Sequence, residues 1–292
     1  MEKKTRIIFG AILGCVLLCG AVAALIINGL MTTPDFSQLR SSVVIQTYSN
    51  QGIPGSKSVG PSVPGWVPFD AISRAVITAV VASEDTTFFQ HEGLDYHEIK
   101  ESLKKDIKEK RFARGGSTIT QQVIKNVFLS NQKTVWRKVK EMVWAGQLEN
   151  FLSKGEILTL YLNLIEWGPG IYGIGEASAH YFGRSPGDIT PKQAAFLALL
   201  IPSPVRRYVY FKNRSLTPWA EKRMAQVMRL MKKMGSIEEG AYASVLSESL
   251  WGESPMKGTV GEEDLSDADA DIPQDLTPLE PGKEEASDAP RE

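Results

Sequence analysis

The chain of 292 residues has room for one sizeable domain with appendages, and two large domains would be crowded. Hydrophobic residues at 42% and aromatics at 9% exclude disorder along the whole length, while naming no chemistry. The net charge of −1 conceals a division, because 13 acidic and 3 basic residues lie from Trp251 onward, leaving 30 basic against 21 acidic in the preceding 250. A basic body suits an anionic partner such as a phosphate-bearing lipid or a membrane surface, although a mildly basic solvated surface is equally common.

At the N-terminus, Lys3, Lys4 and Arg6 precede an uncharged apolar run from Ile7 to Ile27. That is about the 20 residues a helix needs to cross a hydrocarbon core. The basic flank predicts a cytoplasmic N-terminus and places everything after Met31 outside, on the periplasmic face of an inner membrane. A cleaved signal peptide ending near Ala21-Val22-Ala23 is the alternative, and the apolar residues continuing to Ile27 favour the anchor. Both cysteines, Cys15 and Cys19, lie in this run, so the globular part has no disulfide or cysteine-based metal site.

Val43–Tyr48 reads as a short strand, followed by a Gly/Pro/Ser-rich loop over 51–68. Beyond it the patterns are helical. Asp70 is placed to cap a helix whose apolar positions Ile72, Val76, Ala79 and Val80 share one face, and that helix runs into Glu84. Ser153 with Glu156 and Thr190 with Gln193 have capping-box spacing. Thr217-Pro218 starts a further helix, and Ser236 with Glu239 another. The organisation expected is a cytoplasmic end and anchor over 1–31, a linker with a strand over 32–68, a mainly α domain over 69–250, and an acidic disordered tail over 251–292.

Three segments carry chemistry. The first, Glu84-Asp85-Thr86-Thr87-Phe88-Phe89-Gln90-His91-Glu92-Gly93, sets two carboxylates at the end of an apolar helix. Loss of hydration there raises a carboxyl pKa toward the range of a general base, whereas carboxylates at helix ends are more commonly solvated or paired. His91 and His97 imitate a metal cluster without a zinc-protease order, and a structural role suits them better. In the second segment, a glycine pair at 115–116 opens a helix, where free N–H groups suit an anion. Thr118, Gln121, Gln122 and Lys125 form its polar stripe opposite Ile119, Val123 and Val127. In the third, Lys133, Arg137, Lys138 and Lys140 gather four cations within nine residues, with Glu141 four residues beyond Arg137. This is either a solvated salt-bridged face or a pyrophosphate site.

Taken in order, EDTTFFQHEG from Glu84, GGSTITQQ from 115, RKVKE from Arg137, KGEILTLYLN from Lys154 and GIYGIGEASAHYFG from Gly170 resemble the peptidoglycan glycosyltransferases of family 51 in their monofunctional form. The resemblance covers about 66–204. It implies a mainly α, partly lysozyme-like domain behind one transmembrane helix, transferring a lipid-linked growing glycan onto the 4-hydroxyl of lipid II with release of undecaprenyl pyrophosphate. It makes Glu84 the base, Lys140 the holder of the donor pyrophosphate, and Glu141 its support or the ligand of a divalent cation, magnesium or manganese. No tightly bound cofactor is implied. Ser117, Thr118, Gln121, Gln122, Lys125 and Lys133 match donor-site positions, with Lys133 where many relatives carry arginine, and Asp85, Arg137, Lys138 and Asn163 are further substrate-binding expectations. Phe112, Phe128 and Trp136 flank these segments and are expected to touch the membrane.

Expected partners are lipid II, lipid-linked glycan, the membrane and proteins of cell-wall synthesis or division. Nucleic acid is not expected, given the predicted location and the lack of a binding motif. A lysozyme-like hydrolase or lytic transglycosylase is the rival enzyme, and a non-catalytic membrane-anchored scaffold is the rival from another class.

Overall fold

A computed structural model describes residues 32–109, 116–129 and 134–251, together with the isolated positions 17, 20 and 29. The bulk of the expected anchor, Phe112, Lys133 and the acidic tail after Trp251 lie outside the described residues. Among the described residues no helix is long and apolar enough to cross a membrane.

The chain opens with a 3-10 turn, Phe36–Arg40, and an antiparallel hairpin of β1 (Val43–Tyr48) and β2 (Pro54–Val59), paired from Val43 with Val59 to Tyr48 with Pro54. Helices follow as α1 (Arg74–Glu84), α2 (Tyr96–Glu109), α3 (Ile119–Phe128), α4 (Val135–Glu149) and α5 (Lys154–Leu164). A small hairpin, β3 (Glu166–Gly168) with β4 (Ile171–Tyr172), leads to α6 (Ile174–Phe182), α7 (Pro191–Leu200), α8 (Pro204–Lys212), α9 (Pro218–Lys233) and α10 (Tyr242–Ser247). The mainly α class expected from the sequence is what the chain adopts.

The centre is α1. Every residue from Ala75 to Ala82 is buried, so this helix has no solvent face and packs against both α7 and α9. Its cap is Ser73, whose hydroxyl accepts the Val76 N–H, rather than Asp70. Asp70 falls in a separate turn, Phe69–Ala71, because Ile72 is extended and interrupts helical geometry between them.

The capping boxes at Ser153/Glu156 and Thr190/Gln193 form as the spacing predicts, and Thr217 caps α9 with Pro218 in its first turn. Ser236 starts no helix. Its hydroxyl bonds Thr78 Oγ1 at 2.7 Å, and helical turns resume at Glu239.

In β1 the alternation is regular, with Val43 and Ile45 inward and Val44 and Gln46 outward. Five of the six β2 residues are exposed, so its sequence carries no apolar alternation and pairing with β1 creates the strand. Phe36, Leu39, Val43, Ile45 and Val59, from the segment expected as a linker, join the core shared by α1, α5 and α7.

Thr190→Ala removes the oxygen that starts α7 and should cost about 1 kcal/mol, a fall of a few degrees in thermal midpoint. Thr190→Ser should restore most of it. Thermal unfolding of the three proteins checks this.

Candidate active site

The last residue of α1 is Glu84, and Asp85 is its C-cap. Both carboxylates therefore stand at the negative end of the helix dipole, where charge is disfavoured. They are satisfied differently. Asp85 is buried, and its oxygens accept the Ile119 N–H at 2.9 Å and face His91 Nε2 at 3.0 and 3.1 Å. Glu84 Oε2 accepts one hydrogen bond among the described residues, from Gln122 Nε2 at 3.1 Å. Tyr161 in turn donates to Gln122 Oε1 at 3.2 Å.

Burial pushes the Glu84 carboxyl up from its ordinary value, and the Gln122 hydrogen bond and the charges of Arg223, Arg207 and Lys125 offset only part of that rise. Neither distal arginine was anticipated from sequence. They lie about 120 to 140 residues downstream on α8 and α9, and Arg223 donates to the Ser83 carbonyl at 3.3 Å.

At the start of α3, position 115 of the glycine pair lies outside the described residues, and the N–H groups of Thr118, Ile119 and Gln121 are engaged within the protein. Thr118 is the N-cap, and Thr118 and Gln121 exchange side-chain and backbone hydrogen bonds as a capping box. The Ile119 N–H goes to Asp85, and the Thr118 hydroxyl donates to the Gly93 carbonyl at 2.7 Å. Protein acceptors thus take up these N–H groups. Thr118 and Gln121 are buried within this joint and hold it together. Gly93 has φ +84°, and a Cβ there would meet the Ala145 backbone at 2.8 Å, so glycine lets the loop lie directly on α4.

The polar stripe that remains open is Ser117, Gln122 and Lys125, and it meets the cations of α4. Arg137 Nη1 pairs with Glu141 Oε2 at 3.0 Å, the predicted one-turn spacing. Lys138 bonds both Glu141 Oε1 and the Ser117 hydroxyl, the latter at 2.7 Å. Glu141 is buried, so these two cations neutralise a carboxylate that could not stand alone there. Lys125 lies between the two carboxylates. Burial pulls its pKa down, Glu141 and Glu84 hold it up, and Arg137 and Lys138 oppose them.

Lys140 points to an adjacent face of α4, its ammonium over the Trp144 and Trp136 rings at 5.2 and 6.0 Å. Trp136 is 41% exposed and Val135 84%, as a surface-contact role requires. Phe128 is half-buried and packs edge-on against Phe36 of the Phe36–Arg40 turn at 5.5 Å.

Asn163 is likewise a clamp and not an open ligand. Its amide bonds the Val67 carbonyl, the Val67 N–H and the Thr159 carbonyl, each at 2.9 Å. Lys125 also borders a cavity of about 420 Å³ shared with Gln46, Tyr48, Phe128 and Glu166.

No group of three or more His, Cys, Asp or Glu side chains converges to hold a metal ion among the described residues. Glu141, the residue expected to ligate a divalent cation, already faces Arg137 and Lys138. The described side chains do not fit a protein-built metal site, and no chemical step is drawn through one.

A family described as Transglycosylase matches residues 57–232, which takes in α1 through most of α9 and all five sequence segments. The chain belongs to the transglycosylase family. It is 50% identical over 139 residues to the biosynthetic peptidoglycan transglycosylase of Nitrosomonas eutropha, covering 48% of this chain and 57% of that protein. To the protein of the same name from Nitrosospira multiformis it is 43% identical over 166 residues, 57% of this chain and 70% of that one. The chain thus spans little more than half of the first relative's length and about two-thirds of the second's. Within the matched region Glu84 is bonded by Gln122, and Lys125 feels the charges of both Glu84 and Glu141.

Asn163→Ala should cost about 2 kcal/mol, since it leaves the Val67 N–H and carbonyl unpaired in a partly buried place. Denaturant unfolding should show the loss while the folded variant keeps its substrate KM. An unchanged stability with a raised KM would return Asn163 to the substrate site.

Proposed function

We propose that this chain polymerises peptidoglycan glycan strands, transferring a lipid-linked growing glycan onto the 4-hydroxyl of lipid II. Glu84 accepts the hydroxyl proton as that oxygen attacks the anomeric carbon. The bond to the pyrophosphate breaks with inversion, and undecaprenyl pyrophosphate leaves with the bonding electrons. A pyrophosphate leaving group needs cations more than a proton, and Lys125, Arg137 and Lys138 gather around Glu141, with Lys140 on the adjacent face of α4.

The observation that carries this reading is the unequal state of the two carboxylates. Glu84 is raised by burial and has one amide partner among the described residues, whereas Glu141 is bound by two cations. A two-carboxylate hydrolase pairs an acid of raised pKa with a second, ionised carboxylate free to act as nucleophile or to activate water, and a Glu141 held between Arg137 and Lys138 is poorly suited to that second role. The names of the relatives, biosynthetic peptidoglycan transglycosylases, support the same direction. Incubating the purified protein with labelled lipid II, and separately with finished glycan, tests the reading. Elongation of the first with the second intact is expected, and cleavage of the glycan without elongation would sink it.

Lipid-linked substrates keep the enzyme at a bilayer. In this proposal the apolar run over 7–27 anchors the chain with its N-terminus in the cytoplasm, and the exposed Val135 and Trp136 supply a second contact beside the cations. A chain starting at residue 32 should still associate with anionic vesicles at low salt, and Trp136→Ala should weaken that association. Equal sedimentation of the two with vesicles would remove Trp136 from the contact.

Glu84→Gln should lower polymerisation about 100-fold or more, because an amide takes no proton. Its stability should change in the opposite direction. A carboxyl whose folded pKa is raised stabilises the fold while protonated and loses that contribution as pH rises through the folded value. The variant should therefore melt above the wild type at pH 8 and converge with it in acid. Melting curves across that range and a steady-state rate check both halves.

A further inference from the structure

Tyr161 is fully buried in the middle of α5 among Ile157, Leu158, Leu160, Leu162 and Leu164, all of them buried. Phenylalanine would fill the same space without bringing a hydroxyl into an apolar wall, where an unpaired one is costly. The hydroxyl is not unpaired. It donates to Gln122 Oε1 at 3.2 Å, and the same amide donates from Nε2 to Glu84 Oε2 at 3.1 Å. We propose that Tyr161 is a positioning residue for the base, fixing the Gln122 amide in the orientation that turns Nε2 toward Glu84 and holds the carboxylate toward the cleft.

The reasoning is one of matching donors to acceptors. An amide turned the other way would set Oε1 against a carboxylate oxygen, acceptor against acceptor. A tyrosine donating to Oε1 removes that alternative and polarises the amide, strengthening its opposite end as a donor. Three helices, α1, α3 and α5, are tied by this relay, and Tyr161 reaches the reacting atoms through Gln122 alone.

This inference rests on Glu84 being the base, and its test separates the two. Other groups facing Glu84 are Lys125 on α3, Arg207 on α8, Arg223 on α9 and the neighbouring Asp85. All of them survive in Tyr161→Phe, so a change in Glu84 titration reports the relay. The full-length chain is labelled with ¹³C at glutamate side-chain carboxyls, and the Glu84 signal is identified by its disappearance in Glu84→Gln. In Tyr161→Phe the carboxyl should titrate at higher pH, because a donor to its ionised form has been weakened. The acidic limb of kcat/KM for lipid II should move the same way, with kcat roughly three- to tenfold lower and KM little changed. An unmoved Glu84 titration overturns the proposal whatever happens to the rate. Should Tyr161→Phe fail to fold, Gln122→Leu removes the amide that Tyr161 orients, and an unmoved Glu84 titration there overturns it equally. Failure of the wild type to polymerise lipid II would instead sink the functional reading, and the carboxyl titration would remain readable.

Discussion

A helix without a solvent face governs the site. Because α1 is buried on every side from Ala75 to Ala82, its C-terminal end emerges among other helices, with Asp85 buried and Glu84 half-buried. Burial and the helix dipole both oppose their ionisation, so the surrounding structure has to supply donors. Asp85 receives the first N–H of α3 and a histidine, which fixes where α3 begins and brings its polar stripe to the wall. Gly93 and the Thr118 capping box then seat that beginning against α4. The positions of Gln122 and Lys125 follow from a joint made primarily to satisfy Asp85.

The cation cluster obeys the same logic with the signs exchanged. The charges of Arg137 and Lys138 both lower Lys125, and Glu141 is the buried counter-ion that allows the three to remain together. Removing a counter-ion from such a group leaves uncompensated charge in a poorly solvated place, a larger penalty than the loss of one surface ion pair. Glu141 is thus better understood as the electrostatic centre of the cluster than as a free acid.

How far the sequence led depended on whether the relevant signal was local. Helix starts at Ser153, Thr190 and Thr217 were legible because capping involves residues three apart. So was the Arg137–Glu141 pair. The strand β2 was not, since its exposed polar sequence becomes a strand only through β1. Asp70 mimicked a cap, and the real one, Ser73, was decided by the extended Ile72 between them. The N–H groups ahead of α3 looked open because nothing in the local sequence shows that Asp85, over thirty residues earlier, claims one of them. Arg207 and Arg223 were invisible for the same reason, being brought to Glu84 by packing of α8 and α9. Tyr161 was present in the matching segment KGEILTLYLN, where an isolated tyrosine among leucines reads as core.

The contrast between Glu84 and Asp85 explains how one helix end can yield both a structural carboxylate and a basic one. Asp85 commits its oxygens to the Ile119 N–H and His91 Nε2 and so serves the joint between α1 and α3. Glu84 has one amide donor among the described residues, and Arg223, Arg207 and Lys125 act on it through space. It therefore keeps an elevated proton affinity while remaining held in place. More donors would fix it more rigidly and weaken it as a base. Fewer would leave a buried carboxylate to protonate permanently at neutral pH. A single donor held by Tyr161 lies between these limits, and a base that must accept a hydroxyl proton near neutral pH works best in that interval.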